Sequence, residues 1–252
     1  MSTASDLHRR LLGNHVAVVN LHSRDWTLAQ EAVGLRRGVT QEKCLARMVE
    51  TGLLRHVRRG MYVVVDPARE APPAAVASGA FAHMDHYVTT DAALAVHRLL
   101  DQPVLMITVI VPRTRPASFR FGATLVRASE MPRGRFDAAD HYAMTLEGFS
   151  VRLASRVLAV ADALEDPRRM THLSLLPEIL PALDADEVEL LAAAAAAALA
   201  RSRAAAQRLG YLLDDAGVSI PAALTTLVPT SVADLRPGHR SGAFSTRWRV
   251  HG

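Results

Sequence analysis

Seven lysines and arginines, Arg36, Arg37, Lys43, Arg47, Arg55, Arg58 and Arg59, share a short span with two acids, Glu42 and Glu50, a local balance of +5 in a chain whose net charge is +4. Cations at that density neutralise phosphates and release their counterions, the sequence-independent part of gripping a nucleic acid. Sequence is read by other groups. Gln41 carries the paired donor and acceptor that match an adenine edge, and Lys43 or Arg47 can serve a guanine, while Arg36, Arg37, Arg55, Arg58 and Arg59 suit phosphates. Thr40 opens the same stretch. The alternatives are a solvated basic face or a protein-binding module of the same shape.

The punctuation around these residues predicts how they are held. Thr40 can cap a helix whose apolar stripe is Cys44, Leu45, Met48 and Val49, leaving Gln41, Lys43, Ala46 and Arg47 on the other face, and Gly52 suits a left-handed C-terminal cap. Leu53 to Val57 and Met61 to Val65 read as two strands of a hairpin turning at Arg58, Arg59 and Gly60. Upstream, Thr27 and Gln30 have the spacing of a capping box, Gly34 is a stop, and Leu7 to Val16 reads as another helix. Three short helices followed by a two-stranded ribbon form a winged helix-turn-helix, in which the last helix enters the major groove. Cys44, the single cysteine, falls on the apolar stripe and reads as a small core residue.

Two other constellations could do chemistry. His83 and His86, with Asp85 between them, have an i, i+3 spacing, but a metal site needs three or four ligands and no further cluster completes this one. Asp162, Glu165 and Asp166 could hold Mg²⁺ for phosphodiester hydrolysis, although Pro167 places them at a helix end where charge is routine. There is no phosphate loop, dinucleotide fingerprint or nucleophile elbow. Neither catalysis nor a cofactor or metal is therefore expected. A nuclease or nucleotidyltransferase targeted by the winged helix, and a ligand-sensing regulator, remain the alternatives.

The chain as a whole reads as α+β: a winged helix over residues 1–66, a Pro- and Ala-rich linker over 67–80, and a mixed α/β domain over 81–252 ending in a helical, Ala-rich part. Its 252 residues, half of them hydrophobic, suffice for sizeable cores. No apolar run approaches the roughly 18 to 20 residues of a membrane span. The stretch MSTASDLHRRLL is charged where a secretory segment would be apolar, so a cytoplasmic protein is expected. Lys43 is the lone lysine among 29 cationic side chains, a bias that discounts single arginines elsewhere. In the larger domain Thr90 can cap DAALAVHRLL, Val104 to Val111 reads as a buried strand, Phe119 to Val126 as its partner and Phe149 to Leu153 as another. Arg156 to Leu164, His172 to Leu183 and the run from Asp184 to Leu213 read as helices. Residues 161 to 189 hold eight acids against two arginines, a surface that repels DNA.

The order of segments resembles the AbiEi family of abortive-infection antitoxins. The resemblance rests on the basic winged helix ending in RRGMYVV, then YVTTDAALAVHRLL, QRLGYLL at Gln207 to Leu213, and RWRV at Arg247 to Val250, and it spans nearly the whole chain. It implies a transcriptional repressor of its own toxin-antitoxin operon that binds promoter inverted repeats in double-stranded DNA. The second domain would then antagonise a nucleotidyltransferase-type toxin, an antagonism that does not require a stable complex between the two. QRLGYLL itself reads as architectural, with Leu209, Leu212 and Leu213 inward and Arg208 and Tyr211 able to reach a surface.

Overall fold

A computed structural model describes residues 3–36, 38–112, 117–199, 202–238 and 242–252. The fold is α+β, with three sheets among the described residues. The chain divides into two compact units, the first made of Met1–Val88, Val109–Ala138 and Tyr142–Leu153, the second of Thr89–Thr108, Ala139–His141 and Ala154–Gly252.

The first unit opens with α1 (Thr3–Gly13), β1 (Val18–Asn20), α2 (Arg24–Ala32), α3 (Val39–Glu50) and the hairpin of β2 (Leu54–Arg58) and β3 (Met61–Val64). The three strands form an antiparallel sheet in the order β1-β3-β2. Leu7 and Leu11 of α1, Trp26 and Ala29 of α2, Leu45 and Met48 of α3, Val19, Leu54 and Val64 bury together as one core. Burying that apolar surface, more than helix propensity, holds three such short helices. Ser23, not Thr27, caps α2, its Oγ accepting from Trp26 N at 3.2 Å, so the helix begins a turn earlier than the Thr27–Gln30 spacing suggests. Gly34 and Gly52 end α2 and α3 at φ +66° and +71°. Each is followed by a leucine whose N–H reaches back into the last turn, Leu35 to Gln30 O at 3.0 Å and Leu53 to Met48 O at 2.8 Å, the double closure that a left-handed glycine permits. β1 was not expected from the sequence; it is three residues long and acquires its hydrogen bonds from β3, more than forty residues on.

Residues 67–80, expected as a linker, instead contain α4 (Pro73–Ala80), in which Ala74 to Ser78 and Ala80 are buried. The Pro-Ala composition starts a helix here because Pro73 occupies a first-turn position where its missing N–H costs nothing. Then follow β4 (Tyr87–Thr89), α5 (Thr90–Val96), β5 (Met106–Val111), β6 (Phe119–Phe121), β7 (Thr124–Glu130), α6 (Arg133–Asp137), β8 (His141–Leu146) and β9 (Phe149–Ala154). The strands form one sheet ordered β6-β7-β5-β4-β9-β8. Phe119 pairs with Val126, so the expected 119–126 strand is itself a hairpin, and Val88 pairs with Leu153 in parallel. Residues 109–138 and 142–153 thus belong with the N-terminal residues, and the division does not fall at 66 and 81.

The second unit is mainly helical: α7 (Arg156–Glu165), the short α8 (Leu176–Ile179), α9 (Ala185–Ala197), α10 (Arg203–Asp215) and α11 (Ala222–Thr225), with a small sheet of β10 (Ala233–Asp234), β11 (Phe244–Ser245) and β12 (Val250–His251). α7 packs against α5, α9 and α10. Pro177 and Pro181 break the expected 172–183 helix into α8 flanked by single 3₁₀ turns, because each proline removes a donor. Asp184 and Glu187 form a reciprocal capping box on α9. α9 ends at Ala197, one residue before the end of the alanine run, and a new helix begins at Arg203. No described helix is long and apolar enough to cross a membrane.

Candidate nucleic-acid interface

α3 starts after Gly38, whose φ of +96° suits glycine, and no side chain caps it. Thr40 is therefore an exposed first-turn residue and not the cap. Around the helix Leu45 and Met48 are buried, Gln41, Cys44 and Val49 are half-buried, and Val39, Thr40, Lys43, Ala46 and Arg47 are exposed together with Glu42 and Glu50. Gln41 does not share a face with Lys43. It lies one turn before Leu45, on the inward side, and lines a groove of about 960 Å³ beside the hairpin with Glu42, Ala46, Glu50, His56 and Tyr62. Glu42 lines that groove together with Arg59, His22 and His56, and Glu50, three residues after Arg47 and seven after Lys43, stands on their side of the helix, so acids and cations alternate around its exposed face. Burial pushes the Cys44 thiol up, outweighing the opposite pull of Arg47, which keeps it protonated and unreactive.

The hairpin arginines separate into two groups. Arg55 lies over the Phe121 ring at 4.5 Å and within 3.7 Å of Glu70. Arg58 lies over Phe119 at 5.0 Å and donates to Ala117 O at 2.7 Å, and burial pushes its guanidinium below the ordinary value. Both are expected as phosphate contacts; the structure also gives each a partner within the first unit, a ring of β6 beneath each guanidinium. Arg59, at the tip beside Gly60 (φ +75°), is exposed. Arg36, just before α3, is exposed as well, and Arg37 lies outside the described residues. Among the described residues Arg36, Lys43, Arg47 and Arg59 make no ion pair. The exposed cations without an ion pair among the described residues thus lie on α3, at its entry and at the hairpin tip, while Arg55 is exposed beside Glu70. From the sequence Phe119 and Phe121 are strand residues; their FRF alternation fixes which face they share but not what lies on it.

Of the other candidates, His83, Asp85 and His86 occupy a turn before β4 and point to separate partners. Asn20 Nδ2 donates to His83 Nδ1 at 2.9 Å, Arg133 holds Asp85 at 2.6 Å and its carboxyl below the usual range, and His86 is buried. Met84 O, 3.0 Å from His86 Nδ1, can only accept, so that nitrogen carries the proton and Nε2 accepts from Ser78 Oγ at 2.9 Å. Burial pushes His86 down to about 4. No group of three metal-ligating side chains occurs among the described residues. In the second unit Asp162 is buried, accepting from Thr89 Oγ1 at 2.8 Å with Arg169 at 3.8 Å, while Asp166 faces Arg168 and Arg169. Each carboxylate is thus already matched with protein cations or donors. Arg208, expected to reach a surface, is buried and donates to Asp234 O and Leu164 O.

No protein-family model matches the sequence, and comparison with curated proteins returns no match. Among solved structures the chain is similar to the crystal structure of the RV2827C protein from Mycobacterium tuberculosis, at a TM-score of 0.65 and 15% sequence identity, over 98% of this chain and 90% of that one. At that identity the likeness is one of fold.

Proposed function

We propose that residues 3–64 are a winged-helix module that binds duplex DNA, and that the protein is a transcriptional regulator. The observation that carries this reading is the order α1-β1-α2-α3-β2-β3 with sheet order β1-β3-β2, combined with Arg36, Lys43, Arg47 and Arg59, exposed on α3, its entry and the hairpin tip and making no ion pair among the described residues. In such a module the exposed face of the last helix meets base edges in the major groove while the hairpin tip reaches the flanking backbone. The segments that resemble AbiEi-type antitoxins support a more specific role. In it the module binds inverted repeats in its own promoter, and the protein antagonises a nucleotidyltransferase-type toxin in the cytoplasm. Carboxylate-held Mg²⁺ chemistry has no comparable support, since Asp162 and Asp166 are engaged with Thr89, Arg168 and Arg169.

The test is binding to duplexes from the upstream region as a function of salt. Wild type should lose affinity steeply with rising salt, with each neutralised phosphate contributing about 0.9 to the logarithmic slope. The variant Arg36→Ala/Lys43→Ala/Arg47→Ala should bind weakly and with a flatter slope. Equal affinity and slope in the two proteins would refute the interface. Co-expression with the nucleotidyltransferase-like product of an adjacent gene tests the antitoxin role, which predicts relief of growth arrest.

A further inference from the structure

The outward face of α3 holds a side chain that charge does not explain. Val39, its first residue, is 66% exposed. A valine there gains nothing from the core, which α3 reaches through Leu45 and Met48, and its branched side chain is a weaker helix former than most. A lone exposed apolar residue is ordinary on a protein surface. This one stands at the N-terminal end of the helix, three residues after Arg36, with the exposed Glu42 and Lys43 one turn on and Arg47 two turns on, at the end that the DNA-binding reading brings to the groove. Gln41, the other candidate for reading a base, is half-buried on the inward side and faces the groove by the hairpin. In a major groove the one apolar feature presented by the bases is the 5-methyl group of thymine.

We propose that Val39 is a specificity-determining residue that packs on a thymine methyl group in the preferred DNA site, with Lys43, one turn further along the same face, left for a guanine or phosphate. This deepens the DNA-binding reading and rests on it. The partner it names is thymine-containing B-form DNA, not RNA, whose uracil lacks the methyl and whose deep major groove excludes a helix. Val39 is not one of the side chains of the core cluster, so its truncation should leave the fold intact.

The experiment uses the full chain. A preferred duplex is selected from a randomised library, and each thymine in it is replaced in turn by deoxyuridine, which deletes the methyl alone. Wild type should lose about fourfold in affinity at one position, the ~0.8 kcal/mol of one buried methyl group converted at 1.4 kcal/mol per decade. Val39→Ala should bind the thymine and uracil forms of that position alike and keep the wild-type salt slope; Val39→Thr, which retains a methyl, should restore part of the discrimination. Wild type indifferent to uracil at all thymines, or Val39→Ala as sensitive as wild type, overturns this proposal while leaving salt-dependent DNA binding standing. Absence of salt-dependent binding to any duplex overturns both.

Discussion

Neighbouring arginines at the hairpin tip should respond in opposite ways to the same substitution. Arg58 is stacked on Phe119 at 5.0 Å and bonded to Ala117 O at 2.7 Å, whereas Arg59 is exposed and makes no ion pair among the described residues. Removing Arg58 forfeits a partly exposed cation–aromatic contact of about 0.5–1 kcal/mol and a hydrogen bond of about 1 kcal/mol, so Arg58→Ala should destabilise the first unit by about 1.5–2 kcal/mol. Arg59→Ala should stay within about 0.5 kcal/mol of wild type, as exposed substitutions do. The proposed DNA binding predicts the reverse ranking. Loss of one phosphate contact lowers the logarithmic salt slope by about 0.9, so that between 50 and 200 mM salt the affinity of Arg59→Ala falls about 3.5-fold less than that of wild type. Arg58→Ala should keep the wild-type slope wherever it remains folded. Urea unfolding supplies the stabilities and fluorescence anisotropy at four salt concentrations supplies the slopes. An unchanged slope in Arg59→Ala, or a flattened slope without lost stability in Arg58→Ala, would refute the separation of the two arginines into contact and anchor.

Stability should fall with acid through His86. Its pKa lies at about 4 in the folded state against 6.5 in the unfolded chain, so between those values the unfolded chain binds more protons, and the stability present above pH 6.5 is lost as pH falls toward 4. The loss at pH 5 should be about 2 kcal/mol in urea titrations, and His86→Gln should remove most of that pH dependence. In the second unit, a methyl group added at Gly210 would overlap the Trp248 ring, so Gly210→Ala should cost about 1–3 kcal/mol by overpacking, read as a lowered Tm. Gln207→Leu should also destabilise, by about 1–3 kcal/mol, because the carbonyls of Ser231 and Trp248 lose the donor that now lies at 2.8 and 2.9 Å.

Local punctuation was legible in the sequence wherever a single residue type decides the backbone. Gly34, Gly52 and Gly60 all adopt positive φ, so the ends of α2 and α3 and the hairpin turn fall where they were expected. Asp184 caps α9 for the same local reason. Thr27 misled because Ser23, four residues earlier, offers an equivalent hydroxyl and Trp26 must be buried, which pulls the helix start back. The error over Gln41 was avoidable, since spacings of four and seven residues place it on the side of Leu45 and Met48, and only its polarity suggested the outer face. Arg55 and Arg58 could not be separated from Arg59 by the sequence. Their charge is visible there, but the rings that occupy them lie some sixty residues away, in a strand that pairs with β7 and not with the hairpin's own sheet.

The motifs that carry the family resemblance are made largely of residues that hold backbone together. In YVTTDAALAVHRLL, Thr89 donates to Asp162, Thr90 to Arg169 O, and Asp91, fully buried, accepts from Thr171 N, His172 N and His172 Nδ1. Thr90 does this at φ +52°, a conformation that a β-branched residue adopts at a cost and that the surrounding bonds enforce. In QRLGYLL, Gln207 and Arg208 spend their donors on four main-chain carbonyls, and Gly210 leaves room for Trp248 of RWRV. Buried polar side chains bonded to carbonyls are demanding of identity, because a substitute leaves an unsatisfied group in a low-dielectric interior. Substitutions within these strings should therefore report on folding. The proposed DNA contacts fall outside them, on exposed Val39, Arg47 and Arg59 of the first unit.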